Sequence, residues 1–114
     1  MSDRARAYQG YVTGQDGTRV FQVNGVNFDG IRGQVLLDAK GYYSQFVDPA
    51  TRAFRTWWQG ADDFVEQAQR QLGAARGAQI EWHFNEAETL EAVRRLFMER
   101  GIGEGIRLVL DQMP

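Results

Sequence analysis

The spacing of apolar residues changes along the chain from short alternating runs to a helical repeat. Tyr8 to Thr13 reads as a strand, closed by the turn residues Gly14-Gln15-Asp16-Gly17. Arg19 to Val23 alternates well enough for a second strand, and Asn24-Gly25 is a strong two-residue hairpin signal. Val26 to Gly30 returns as a third strand and Gly30 to Gly33 turns again. Gln34 to Lys40, with the continuous apolar run Val35-Leu36-Leu37, follows as a further strand. The first forty residues therefore predict a meander of three or four antiparallel strands. Tyr42 to Gly60 is irregular, crowded with aromatic residues and interrupted by Pro49. It reads as a long packed connection with room for one helical turn.

From Asp62 the period is helical. Phe64, Ala68, Leu72 and Ala75 fall at i, i+4, i+8 and i+11, a stripe that faces a core, with Asp62 and Asp63 suited to the helix start and Gly77 to its end. Gln79 to Phe84 alternates as a strand, Ile80, Trp82 and Phe84 on one face and Glu81 and His83 on the other. Asn85-Glu86-Ala87-Glu88 resembles a capping box and opens a second helix, with Leu90, Val93, Leu96 and Phe97 inward and Gly101 at its close. Ile106 to Leu110 is a last strand. The expected fold is α+β (mixed α/β), an antiparallel meander followed by helix, strand, helix and strand, in one domain over residues 1–114.

Composition narrows the function classes. The 114 residues suffice for one core. No run of about 18 apolar residues predicts a membrane helix, and the first residues lack the apolar stretch of a signal peptide. With no cysteine there is no disulfide framework, zinc finger or thiol nucleophile. A formal net charge of −2 argues against holding nucleic acid by bulk electrostatics. Of the 13 cationic residues only Lys40 is a lysine, and His83 is the single histidine.

Lys40 belongs to the most informative segment, Phe28 to Gly41. Asp38 and Lys40 are two apart on a predicted strand, so they share a face, and a charged pair ending an apolar strand must be solvated, paired or metal-bound. Asp29 could add a second carboxylate. Two carboxylates and a backbone carbonyl are hard oxygen donors suited to Mg²⁺ or Mn²⁺, and a neighbouring lysine can orient a water for in-line attack on a phosphodiester. The plainer alternative is that Asp29-Gly30 only shapes a turn and that Asp38 and Lys40 form a weak ion pair at a solvated strand end. There is also a geometric difficulty. A turn centred on Ile31-Arg32 offsets Asp29 from Asp38 by about 13 Å, so a bulge at Gly30 or Gly33 would be needed to bring them together.

The pattern Gly25-Val26-x-Phe28-Asp29-Gly30 followed by Leu36-Leu37-Asp38-Ala39-Lys40-Gly41 resembles the PD-(D/E)xK nuclease signature. More narrowly, the chain resembles the restriction-endonuclease-fold toxin family 5 of bacterial polymorphic toxins. Gln67-Ala68-Gln69-Arg70-Gln71 and Trp82-His83-Phe84 extend the likeness, which runs from about Tyr8 to Val109. The superfamily's usual first helix is not evident in the pattern and is expected upstream. Aspartate at position 38 stands where the family more often has glutamate. The resemblance implies that Asp29 and Asp38 ligate Mg²⁺ (or Mn²⁺) with the Ala39 carbonyl as a third ligand, and that Lys40 positions the attacking water. A glutamine on the first long helix of related nucleases helps organise the site, which makes Gln67 a candidate beside the alternative of a polar flank to the core stripe. His83 is a candidate for phosphate contact or proton transfer, its ordinary alternative being a structural or exposed strand histidine.

The same resemblance implies an antibacterial effector that cleaves DNA in the cytoplasm of a recipient cell. Such a domain is carried as the C-terminal module of a larger secreted protein, for example of type VI secretion, and is neutralised by a cognate immunity protein. Two further readings stay open: an RNase toxin using the same site, and an inactive nuclease fold that serves as a binding module. Arg32, Arg52, Arg55 and Arg70 are possible phosphate contacts with surface solvation as the default, and the tryptophans and Tyr42-Tyr43 are expected in the core rather than as base-stacking platforms. An exposed loop within Tyr42 to Gly60 is the expected footprint of an immunity protein. Oligomeric state is not readable. Lys40→Ala and Asp38→Ala are expected to abolish activity and leave the fold intact.

Overall fold

The computed structural model describes residues 2–15 and 19–114; the expected turn at Asp16-Gly17 lies outside them. The first element corrects the sequence reading. Asp3–Thr13 is a helix, α1, not a strand. Ser2 caps it by accepting from the Ala5 amide (3.2 Å), Asp3 stands in its first turn, and Gly14 ends it in the left-handed conformation with its amide on the Gly10 carbonyl (2.9 Å). Only Tyr8, Gln9 and Val12 are buried along it, so its apolar stripe is two side chains wide and short enough to pass for alternation. A helix thus precedes the first strand, where the sequence pattern showed none.

The meander is also revised. Phe21–Val23 (β1) and Val26–Phe28 (β2) pair only with each other, around Asn24 and Gly25 at φ 49° and 83°. This small sheet lies on the helix Gly60–Ala75 (α2), where the Asn24 amide donates to the carbonyl of Ala74 (2.6 Å). Gly30–Arg32 (β3) and Val35–Lys40 (β4) form the antiparallel start of a four-stranded sheet. Ile80–Phe84 (β5) and Ile106–Leu110 (β6) continue it in parallel, in the order β3-β4-β5-β6. The parallel pairs need crossovers, supplied by α2 and by Ala87–Glu99 (α3). Helix, strand, helix, strand thus follow as expected, and the fold is mixed α and β.

Strand alternation divides the sheet into two faces. Leu36, Ile80, Trp82, Phe84 and Ile106 join Phe64, Val65, Ala68, Leu90, Val93, Leu96 and Phe97 in the main core, between sheet and α2–α3. Leu37 and Ala39 point to the opposite face, against which α1 packs. Glycine permits that approach: a Cβ at Gly30 would lie 2.7 Å from Thr13 Cγ2, and one at Gly41 only 3.2 Å from the Tyr8 ring. The Tyr8 hydroxyl donates to the Asp111 carbonyl (2.7 Å) and that of Tyr11 to the Asp111 carboxylate (2.9 Å), tying α1 to the segment after β6.

The connection after β4 holds one 3-10 turn, Ser44–Phe46. Its aromatics do not behave alike. Trp82 is fully buried and Trp58 stacks on Phe46 (4.4 Å), whereas Trp57 is 67% exposed, against the expectation of a core position. The expected capping box does not form. The Asn85 side chain accepts instead from the Met113 amide (2.8 Å), and Glu86 stands at the helix cap without capping it.

Candidate active site

The geometric difficulty disappears in the observed register. The hairpin turns at Gly33-Gln34, with Gly33 at φ 60°, rather than at Ile31-Arg32. Gly30 therefore pairs with Leu37 as the last regular rung, and Asp29 follows in an irregular, bulge-like step of the ladder just before β3. The Asp29 amide donates to the Leu37 carbonyl (3.0 Å), and its Oδ2 accepts from the Ala39 amide (2.8 Å). The Asp29 carboxylate is thereby brought to the end of β4, beside that of Asp38.

Asp38, Lys40 and Gln67 close a ring of hydrogen bonds. Lys40 Nζ donates to Asp38 Oδ2 and to Gln67 Oε1 (2.7 Å), while Gln67 Nε2 donates to the same Asp38 oxygen (3.0 Å). Asp38 and Lys40 are 2% and 4% exposed, so this is a buried ion pair and not a solvated strand end. The Lys40 ammonium also sits 4.5 Å from the centre of the Trp82 ring and 5.2 Å from that of Phe64. Burial raises the Asp29 carboxyl to about 7; the Asp38 charge and a hydrogen bond with Asp38 push the same way, against the Ala39 amide and Lys40.

A cleft of about 400 Å³ opens over these groups, lined by Asp29, Asp38, Ala39, Lys40 and Gln67. Ser2, Arg4, Ala5 and Gln9 of the α1 region form one wall, and residues 41–43 with Gln45 another. Arg4 lies 4.3 Å over the Tyr42 ring at the rim. A second depression, with Arg70 at its margin, shares Lys40, Tyr43 and Gln67 with the first.

Among the described residues no third histidine or acidic side chain joins the two carboxylates. The donor set nonetheless suits a hard divalent cation: two converging carboxylates, one disfavoured as an anion by burial and by the other. Within β4, Leu37 and Ala39 turn their backbone groups to the same side, so the Ala39 carbonyl faces the edge where Asp29 lies.

His83 is placed elsewhere. In register with Ala39, it lies on the α1 face, its Nδ1 2.8 Å from Asp111 Oδ2 and its Nε2 2.9 Å from Glu81 Oε1. Arg32 donates to the Val12 carbonyl at the end of α1 (2.6 Å) and Arg55 to the Gln45 carbonyl (3.3 Å), so both brace the chain. Arg52 is exposed in the left-handed conformation. Sequence reasoning missed Glu86, whose Oε1 accepts from the amides of Tyr43 (2.8 Å) and Ser44 (3.0 Å) and from the Thr89 hydroxyl (2.9 Å). It fixes the loop that walls the cleft, and no local motif signals a side chain that bonds 43 residues away.

The model of the restriction endonuclease fold toxin 5 family matches residues 5–87. The chain belongs to that family. The match begins in α1, ends at the first residue of α3 and includes every candidate site residue; the likeness expected as far as Val109 is matched as far as residue 87. No curated protein matches the chain. A restriction endonuclease fold toxin suggests a nuclease toxin, and among the described residues no helix is long and apolar enough to cross a membrane.

Proposed function

We propose that this member of the restriction endonuclease fold toxin 5 family is a metal-dependent deoxyribonuclease that acts in the cytoplasm of a competing bacterium. The observation that supports it is the meeting of the Asp29 and Asp38 carboxylates, with Lys40 and Gln67 bound to Asp38 in the same cleft. Asp29, Asp38 and the Ala39 carbonyl would hold Mg²⁺ (or Mn²⁺). Bound there, such a cation supplies Lewis-acid stabilisation of charge developing on the phosphate. Lys40 spends two of its three protons on Asp38 and Gln67, and the third is the donor that orients the attacking water. Gln67 holds lysine and carboxylate in one geometry, each of its amide groups bonded to one of them. His83 takes no part in this reading, because it occupies the other face of the sheet.

The toxin family supports a secreted module carried on a larger protein and a cognate immunity protein in the producing cell. The deciding experiment incubates the purified protein with plasmid DNA and, separately, with total RNA, each with Mg²⁺ and with EDTA, beside Lys40→Met. Mg²⁺-dependent plasmid cleavage lost in the variant is the expected result. Cleavage of RNA alone would transfer the site to an RNase, and no cleavage of either by a folded protein would leave a binding module.

A further inference from the structure

Gln71 is fully buried between α2 and the sheet, one turn beyond Gln67. Its Oε1 accepts from the Trp82 indole Nε1–H at 2.7 Å, and its Nε2 is buried without a hydrogen-bond partner among the described residues. The indole can only donate, so it dictates which end of the amide faces it and leaves the amide nitrogen unbonded. An apolar side chain of similar size would avoid that loss. The ring anchored in this way lies beneath the Lys40 ammonium at 4.5 Å, and Phe64 and Phe97 enclose it edge-on at 5.9 and 5.3 Å. Lys40 is held from the side by Asp38 and Gln67, and from below by an aromatic face whose own rotation is fixed only by packing and by Gln71.

The geometry points to Gln71 as a positioning residue that sets the Lys40 ammonium through the Trp82 ring. The inference rests on the nuclease reading of Lys40. Gln71 touches neither the cleft nor the candidate metal ligands, and its effect reaches the reaction through ring orientation alone. A lysine displaced by a fraction of an ångström still binds substrate but orients water less well, so the loss falls on kcat and not on KM.

The test combines kinetics with the ¹H–¹⁵N spectrum of the three indole groups. Gln71→Met is expected to lower kcat about 10-fold with KM and Mg²⁺ dependence within about 2-fold. On a Trp82→Phe background the same substitution is expected to change kcat less than about 2-fold, because the donor it served is gone. The Trp82 Nε1–H resonance is expected to move in Gln71→Met and also in Lys40→Met, in which the cation over the ring is removed. A folded Gln71→Met with full kcat, or additive losses in the double variant, overturns the inference. So does an indole resonance unmoved by Lys40→Met, a result that holds whatever the protein cleaves. Should Gln71→Met not fold, Trp82→Phe, which keeps a ring and loses the donor, carries the same kinetic expectation. Failure of the nuclease reading itself is seen separately, as wild-type protein that cleaves no nucleic acid.

Discussion

Asp29→Asn is expected to make the metal-free protein more stable at alkaline pH while abolishing cleavage. Asp29 is partly buried beside Asp38, and its carboxyl is raised from 3.8 to about 7, by burial first and by Asp38 second. The folded state therefore favours the protonated form. Its stabilising effect is complete below about 4 and is lost as pH climbs through about 7. At ~1.4 kcal/mol per pH unit that interval sets an upper bound of ~4 kcal/mol, and proton sharing with Asp38 reduces the effect to ~2 kcal/mol. Asparagine keeps an acceptor for the Ala39 amide, carries no charge and offers Asp38 a donor. In EDTA, urea denaturation of wild type between pH 5 and 8.5 should show stability falling with pH, and the Asn variant should have a flatter profile and exceed wild type by ~2 kcal/mol at pH 8. That difference is a melting temperature about 8 °C higher for a domain of this size. Parallel profiles for the two proteins in EDTA would refute the reasoning, since the carboxylate would then bear no folding cost for Mg²⁺ to relieve.

Four other outcomes follow from the same geometry. Apparent Mg²⁺ affinity, measured by titration calorimetry, should rise up to about tenfold per pH unit toward pH 7, because binding must displace the Asp29 proton. Lys40→Met should reduce plasmid cleavage by at least about 10³-fold and, contrary to the expectation of an intact fold, should lower stability by ~3 kcal/mol in denaturation, since it strands a buried Asp38. Glu86→Ala frees two backbone amides at the cleft wall and should cost ~2 kcal/mol together with a loss of cleavage rate. His83→Gln should destabilise the protein yet leave the rate per folded molecule within about twofold, because the imidazole sits on the far face; a large loss of rate at unchanged stability would reinstate it in the site.

The second half of the fold was legible because its stripes are long. Phe64, Ala68 and Ala75, over about three turns, and later Leu90, Val93, Leu96 and Phe97, over about two, read as core-facing helices. Asp38 and Lys40 were found because alternation alone fixes their shared face. The first half failed where the signal was short. Tyr8 and Val12 do not distinguish a strand from a helix, although Ser2-Asp3 at one end and Gly14 at the other mark the helix by its caps. Glycine at both 30 and 33 left two places for a turn, and the choice decided whether the carboxylates met. The bonds that Glu86 and Gln71 make to Tyr43 and Trp82 were not legible, because these partners are set by tertiary packing and by no local pattern.

The tie between α1 and Asp111 bears on when the cleft can form. One wall of the cleft is fastened by hydroxyls on Tyr8 and Tyr11 to a residue about a hundred positions later. Closing so long a span carries most of the entropic cost of a loop its size, and the contact has no substitute until Asp111 has been made. During synthesis the carboxylates and lysine of β3 and β4 leave the ribosome early, but β5 and β6, which complete the sheet behind them, and the anchor for α1 come last. A growing chain thus carries all the chemical groups of the cleft for some time before it has the cleft. On the proposed nuclease reading, the order of translation itself delays the appearance of activity.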